Sequence, residues 1–172
     1  KKMENCQYAL DISPTMKFSL VNIGGKDIFD GHKMLTLALI WQIMRAYTLS
    51  VLNKLSSGGR RIQDKEIVVW CNETLTQGQK QSQIKDFRDS SIGTSRVVFD
   101  LVDCIQPGSI DYSYFDADTS EESRLSNAKY AVSMARKIGA GVYCLPEDLV
   151  EVKSKMVLTV IACLMAKSLG AA

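Results

Sequence analysis

Histidine and proline are scarce in this 172-residue chain, which has one histidine and three prolines. A single histidine, His32, excludes a multi-histidine zinc site, and any Ser-His or Cys-His catalytic pair would depend on it alone. The pairs Gly24-Gly25 and Gly58-Gly59 are not followed by Gly-Lys-Ser/Thr, so they do not form a phosphate-binding P-loop. We therefore expect no enzyme activity, no metal and no cofactor, and we interpret His32 as a surface turn residue.

The chain also lacks a large excess of charge. Its net charge is +2, with six basic and four acidic residues in positions 1–53 and balanced charges in the remainder. No segment has the basic excess that neutralises phosphates, so nucleic acid is not an expected partner.

Long uninterrupted apolar runs are missing as well. The stretch 34–52 contains Gln42 and Arg45, and the stretch 156–166 is only 11 residues long. A bilayer span needs about 20 apolar residues, so we expect no membrane segment. The opening Lys1-Lys2-Met3 leads into polar sequence, which is not typical of a signal peptide.

The five cysteines contain no Cys-x-x-Cys pair. They are odd in number, widely spaced and flanked by apolar residues, namely Cys6, Cys71, Cys104, Cys144 and Cys163. This pattern is typical of reduced core thiols in a cytoplasmic protein.

One acidic loop, 116–120, resembles the opening of a calcium loop because its acidic residues alternate. The sixth position is Glu121 instead of glycine, and the twelfth is Asn127 instead of a bidentate glutamate. We therefore interpret the loop as a solvated helix start.

The chain contains an internal repeat with an offset of 121 to 123 residues. The matched blocks occur in the same order, with 5–10 recurring as 127–132, 27–28 as 148–149, and 33–36 as 155–159. A unit of about 120 residues would make the first part of the chain the rear portion of one copy. We predict three segments: 1–54 as an incomplete domain, 55–62 as a linker with the Gly/Ser run 56–59, and 63–170 as a complete domain.

Apolar spacing predicts helices throughout, and strand signals are weak. A first helix is predicted with Asp64 as its N-cap, and a second is predicted over 97–105 before Pro107. A third follows the capping box 119–122, a fourth starts at Pro146, and the last covers 155–168. The last helix is apolar on nearly every side from Met156 to Met165, which predicts a buried central position. We expect the same of its repeat partner, Met34 to Leu52, apart from a narrow polar stripe at Gln42 and Arg45.

Four blocks carry a family resemblance. Residues 17–28 and 30–45 resemble the closing segment of an actin-binding calponin-homology domain, and residues 127–140 and 145–165 resemble the last such domain of the fimbrin, or plastin, family. The resemblance implies an all-α fold of calponin-homology domains, with the rear part of a third domain followed by a complete fourth.

This resemblance also implies a function. The chain would be part of the second actin-binding domain of a non-catalytic protein that bundles, or cross-links, filaments in the actin cytoskeleton. Its partners would be F-actin and the adjacent calponin-homology domains of the same protein. The opening helices of the third domain, one of which contacts actin in the family, are not in this sequence.

The actin-binding residues implied by the resemblance lie in the closing helix of the first copy and the loop before it. They are Val21, Asn22, Ile23, Gly24, Lys26, Asp27, Lys33, Leu37, Gln42 and Arg45. A further surface would lie on the first helix of the second copy, around 64–75.

Electrostatics add modest support, because Lys26, Lys33 and Arg45 could meet an acidic filament surface. An alternative is a structural or regulatory module that positions its neighbour and binds actin weakly by itself. The balanced charge of residues 54–172 motivates that alternative.

Overall fold

The computed structural model describes residues 1–55 and 62–170, and within these ranges the regular structure is entirely helical. The α-helices are α1 Lys2–Ile12, α2 Gly25–Phe29, α3 Lys33–Leu55, α4 Asp64–Gln77, α5 Arg96–Ile105, α6 Glu121–Lys137, α7 Pro146–Val150 and α8 Ser154–Ser168. Short 3-10 helices occupy Ser13–Met16, Ser90–Thr94 and Tyr112–Tyr114. The predicted all-α fold is confirmed, whereas positions 56–61 of the predicted linker lie outside the described residues.

The chain forms two compact units, Lys1–Tyr47 and Thr48–Ala172. The division falls inside α3, so the last turns of this helix belong to the second unit. The domain limits predicted from the sequence, 1–54 and 63–170, remain a prediction.

The second unit is built around α8. All ten residues from Val157 to Ala166 are buried, and α8 contacts α4, α5 and α7. The buried central helix predicted from the sequence is therefore confirmed. Burial of these apolar side chains is the main stabilising contribution to this unit.

The helices around α8 bury the residues that their spacing indicates. Ile67, Cys71 and Leu75 of α4 are buried at i, i+4 and i+8, and α5 buries Val97 through Val102. The N-cap of α4 is Gln63 instead of the predicted Asp64, because Glu66 accepts a hydrogen bond from the Gln63 backbone N–H at 2.8 Å.

The loop before α6 is a helix start, as predicted. The Ser120 hydroxyl accepts a hydrogen bond from the Ser123 N–H, and Asp116 accepts hydrogen bonds from the Asp118 N–H and the Ser123 hydroxyl. These hydrogen bonds lower the pKa of Asp116. Its carboxylate thus organises the loop before the helix.

The end of α3 contributes to the core of the second unit. Leu49 is 6% exposed and Leu52 is 0% exposed, and both belong to the same buried cluster as α8. The Thr48 hydroxyl lies 4.0 Å from the Cys163 sulfur. The hydrophobic core of this unit therefore starts well before residue 63.

The first unit repeats the order of α6, α7 and α8. In both copies a short helix opens with the same cap, since Asp27 accepts from the Gly24 N–H at 2.8 Å and Asp148 accepts from the Leu145 N–H at 2.9 Å. Helix α2 packs closely on α1, where a Cβ at Gly25 would come within 2.8 Å of the Gln7 backbone. Glycine is required there by the close approach of the two helices.

The predicted burial of α3 is wrong for one face. Met34, Leu37, Ile40, Ile43 and Tyr47 are between 47% and 73% exposed. In the second unit the equivalent helix α8 is covered by α4 and α5. Residues 1–47 contain α1, a short 3-10 helix, α2 and the first part of α3, so they have no such covering pair.

Helix α3 runs from Lys33 to Leu55 and continues through Gln42 and Arg45, the polar residues within its apolar stretch. By length and composition alone, Lys33–Lys54 is long and apolar enough to cross a membrane. The core helix of a globular domain has the same properties, so this observation assigns no membrane role.

Candidate functional site

The predicted contact residues lie on a loop and the two helices that follow it. The loop precedes Gly25, the short helix α2 follows, and α3 starts at Lys33. Val21, Asn22, Lys26, Lys33 and Leu37 are exposed, whereas Ile23, Gly24, Asp27, Gln42 and Arg45 are partly buried. The structure therefore divides the ten residues into an exposed group and a group with internal contacts.

The tip of the loop exposes an apolar side chain. Val21 is 68% exposed, and the next residue, Asn22, has a φ of 54°. This left-handed conformation is tolerated by asparagine better than by most residues other than glycine. Asn22 therefore turns the chain after Val21 and directs it into α2.

Gln42 holds the loop against α3 instead of presenting a free amide. Its side-chain amide donates to the Ser19 carbonyl at 2.9 Å and accepts from the Ser19 N–H at 2.8 Å. This two-way hydrogen bond connects positions that are 23 residues apart in sequence. Gln42 is thus a positioning residue for the loop.

Asp27 has a structural role of the same kind. Its carboxylate caps α2 by accepting from the Gly24 N–H, and its backbone carbonyl accepts from the His32 N–H at 2.8 Å. The adjacent Lys26 is exposed. Within this short helix, Lys26 is therefore available to a partner while Asp27 keeps the backbone in place.

His32 is an exposed turn residue, as predicted, and also participates in the start of α3. Its Nδ1 accepts from the Leu35 N–H at 3.5 Å, and its carbonyl accepts from the Thr36 N–H. Sequence reasoning missed this helix-cap role.

Among the ten predicted contact residues, the exposed positive charges are those of Lys26 and Lys33. Both side chains are exposed, whereas Arg45 is partly buried and already engaged in an interaction within the chain. The two lysines can therefore interact with an acidic partner without breaking an existing contact. Exposed charges of this kind mainly affect association rate and salt dependence.

Sequence reasoning selected Leu37 but missed its neighbours. Met34 and Ile40 lie three residues before and after it, and both are exposed on the same face of α3. Phe29, at the end of α2, is 50% exposed. The three-residue spacing could have identified this face, but the apolar composition of the helix suggested burial on all sides.

The further surface predicted on α4 is only partly accessible. Val69 is 54% exposed, whereas Trp70 is partly buried and packs against the core. This helix therefore presents little apolar surface outside Val69.

The chemistry of the described residues does not indicate a metal centre or an activated thiol. In positions 1–55 and 62–170, no three His, Cys, Asp or Glu side chains are grouped so as to hold a metal ion. Burial raises the pKa of Cys71 and of Cys144 to about 12 in each case. A thiol with so high a pKa is a poor nucleophile near neutral pH.

Comparison with models of known protein families shows which family the chain belongs to. The model of the calponin homology (CH) domain matches residues 1–49 and 61–169. The chain therefore belongs to the calponin homology family. The match covers both copies of the internal repeat, which confirms that they are related.

The particular relatives are plastins and fimbrin, as the sequence resemblance predicted. The chain is 57% identical to "Plastin-2" of Danio rerio over 171 residues, covering 98% of this chain and 27% of the relative. It is 53% identical to "Plastin-3" of Homo sapiens, again over 27% of that protein. The chain thus spans about a quarter of the length of these curated relatives.

A solved structure supports the same relationship. The actin-crosslinking core of Schizosaccharomyces pombe fimbrin is 42% identical, with a TM-score of 0.75, and the match covers 95% of this chain and 34% of that one. The likeness therefore extends through nearly the whole chain.

Proposed function

We propose that this chain is the part of a fimbrin-like protein that binds actin filaments without catalysis, and that its parent protein bundles filaments. The observation that carries the proposal is the 42% identity to a fimbrin actin-crosslinking core over 95% of the chain. We further propose that the chain corresponds to the rear of a third calponin-homology domain and a complete fourth. The comparisons do not favour the alternative of a purely structural or regulatory module.

The partners follow from this proposal. They are F-actin and the neighbouring calponin-homology domains of the same protein, in the cytoplasmic actin cytoskeleton. The proposal includes neither a nucleic acid nor a membrane.

Within the chain, the filament surface is formed by the loop tip at Val21, the lysines Lys26 and Lys33, and Leu37 on α3. All four side chains are exposed and lie within one short segment. They combine apolar contact area with positive charge, which suits an acidic protein surface. Gln42 and Asp27 contribute by holding the loop and α2 in place.

Co-sedimentation with actin filaments tests this surface. We expect Lys26→Glu with Lys33→Glu to weaken binding of the chain by about tenfold at low salt, because two attractive charges become repulsive. The matched control reverses two exposed lysines of α6, Lys129→Glu with Lys137→Glu, which gives the same change in net charge. Circular dichroism verifies that both variants remain helical.

Each outcome of the co-sedimentation experiment has a distinct interpretation. Weaker pelleting of the first variant alone supports the proposed surface. Equal loss in both variants would show a nonspecific charge effect, and failure of the unaltered chain to pellet would contradict filament binding by this part of the protein.

A further inference from the structure

A polar cavity of about 560 Å³ lies in the second unit. It is bordered by the segment after α4, the first turn of α5 and the 3-10 helix at Tyr112–Tyr114. Its lining includes Gln79, Gln81, Arg96, Asp100 and Tyr112. None of these residues belongs to the proposed filament surface.

Asp100 organises the floor of the cavity. Its side chain is only 2% exposed, and its carboxylate accepts hydrogen bonds from Ser82, Arg96 and Tyr112 at 2.6 to 3.2 Å. A buried carboxylate is costly unless it is paired and hydrogen-bonded, and Asp100 meets both conditions. Its hydrogen-bonding capacity is used inside the protein.

A second ion pair neutralises the adjacent lysine. Lys80 Nζ lies 2.6 Å from Asp103 and 4.9 Å from the centre of the Tyr112 ring. The hydrogen bond to Asp103 raises the pKa of Lys80. Burial raises the pKa of Tyr112 to about 12, and its phenol donates a hydrogen bond to Asp100.

Arg96 remains available at the mouth of the cavity. Its Nε donates to Asp100, and its guanidinium carbon lies 4.8 Å from the Tyr112 ring centre and 5.0 Å from that of Phe115. In the part of the chain that the structure describes, no hydrogen bond to its terminal Nη groups is present. Two aromatic rings and a carboxylate therefore fix the plane of the guanidinium group, and its terminal N–H groups are left to bind a ligand.

Further hydrogen-bonding groups lie beside this edge. Gln79 and Gln81 are exposed, and neither side-chain amide has a hydrogen-bond partner within residues 1–55 and 62–170. Because Asp100, which lines the cavity, is already paired with Arg96, the unpaired groups are the terminal N–H donors of Arg96 and the side-chain amides of Gln79 and Gln81. Two parallel donors on a planar guanidinium match the two oxygens of a carboxylate.

We propose that this cavity binds a carboxylate group of an acidic segment of a partner protein, with Arg96 as the residue that contacts it. Gln79 and Gln81 supply the flanking hydrogen bonds. Asp100, Tyr112 and Phe115 are positioning residues that hold the guanidinium.

An NMR titration of the full chain with N-acetyl-glutamic acid amide tests the proposal. We expect saturable shifts of the backbone amides of Gln81 and Ser82. The neutral isostere N-acetyl-glutamine amide should bind at least about tenfold more weakly, since it lacks the second carboxylate oxygen. Comparable affinity for the two compounds would overturn the assignment of a carboxylate ligand.

Arg96→Lys is the decisive variant because it keeps the positive charge next to Asp100 but removes the fork of two donors. We expect affinity for the acid to fall by about fivefold or more. The matched control is Arg88→Lys, at an exposed arginine that does not line the cavity. Undiminished binding by Arg96→Lys, or stronger binding of inorganic phosphate than of the acid to the unaltered chain, would refute the proposal.

Discussion

At the residue scale, the proposed filament surface consists of side chains with two different tasks. Lys26, Lys33 and Leu37 are exposed and can contact a partner, whereas Gln42 and Asp27 are used to hold the loop and α2. A variant at either kind of position could reduce binding, but for different reasons. Only changes at the exposed residues should leave the local backbone unaltered.

The thiols provide a prediction at this scale. Burial raises the pKa of Cys71 and Cys144 from 9.0 to about 12. At pH 8 the thiolate fraction therefore falls from about one tenth to about one ten-thousandth. We expect these two cysteines to react much more slowly with a thiol reagent than Cys6, which is partly exposed.

Mass spectrometry after timed alkylation measures these rates residue by residue. Because the raised pKa belongs to the folded state, reactivity of Cys71 and Cys144 should recover in denaturant and increase as the pH approaches 12. Rapid labelling of Cys71 in the native protein at pH 8 would show that α4 opens frequently.

At the scale of the helices, α3 contains two chemically similar but structurally different halves. Leu37 is 51% exposed and Leu52 is 0% exposed, although both are leucines in one apolar helix. The reason is that Leu52 lies in the core built around α8, whereas residues 1–47 supply no helix pair over Leu37. Sequence composition alone does not distinguish these environments.

This difference gives a matched pair of substitutions. We expect Leu52→Ala to lower the free energy of unfolding of the second unit by about 2 to 5 kcal/mol, because it leaves a cavity in a packed core. Leu37→Ala removes the same atoms from an exposed position in the first unit and should change the free energy of unfolding of that unit by less than about 0.5 kcal/mol. Urea denaturation monitored by circular dichroism measures both values, and similar losses would contradict the assigned burial.

Much of the helical architecture could be predicted from the sequence, and the reasons are physical. The apolar spacing in α4 and α5, the helix start at residues 119–122 and the mostly apolar α8 each depend on local pattern. The exposed face of α3 could not be predicted in this way, because burial depends on which other elements cover a helix. The Ser19–Gln42 hydrogen bonds were likewise missed, since they join distant positions without a sequence signature.

At the scale of the whole molecule, the two units do not coincide with the two repeats. The family match ends at residue 49 and resumes at 61, whereas the contact division falls between Tyr47 and Thr48. The end of α3 therefore belongs to the second unit by packing. A fragment that starts after α3 would lose Leu49 and Leu52 from its core.

Two fragments test this organisation. We expect residues 46–172 to unfold at a temperature several degrees higher than residues 62–172, because only the longer fragment retains the two buried leucines. A variant of the longer fragment with Leu49→Ala and Leu52→Ala should lose most of that advantage. Thermal unfolding followed by calorimetry provides the comparison, and identical midpoints for both fragments would show that the end of α3 is dispensable.

The uninterrupted backbone of α3 has a mechanical consequence. A pulling force on a ligand at Lys33 would pass along the hydrogen-bonded turns of α3 to Leu49 and Leu52, whose side chains are buried. Under the proposed filament binding, the burial of Leu49 and Leu52 would resist this force, so the strength of the attachment would depend on side chains outside the proposed filament surface.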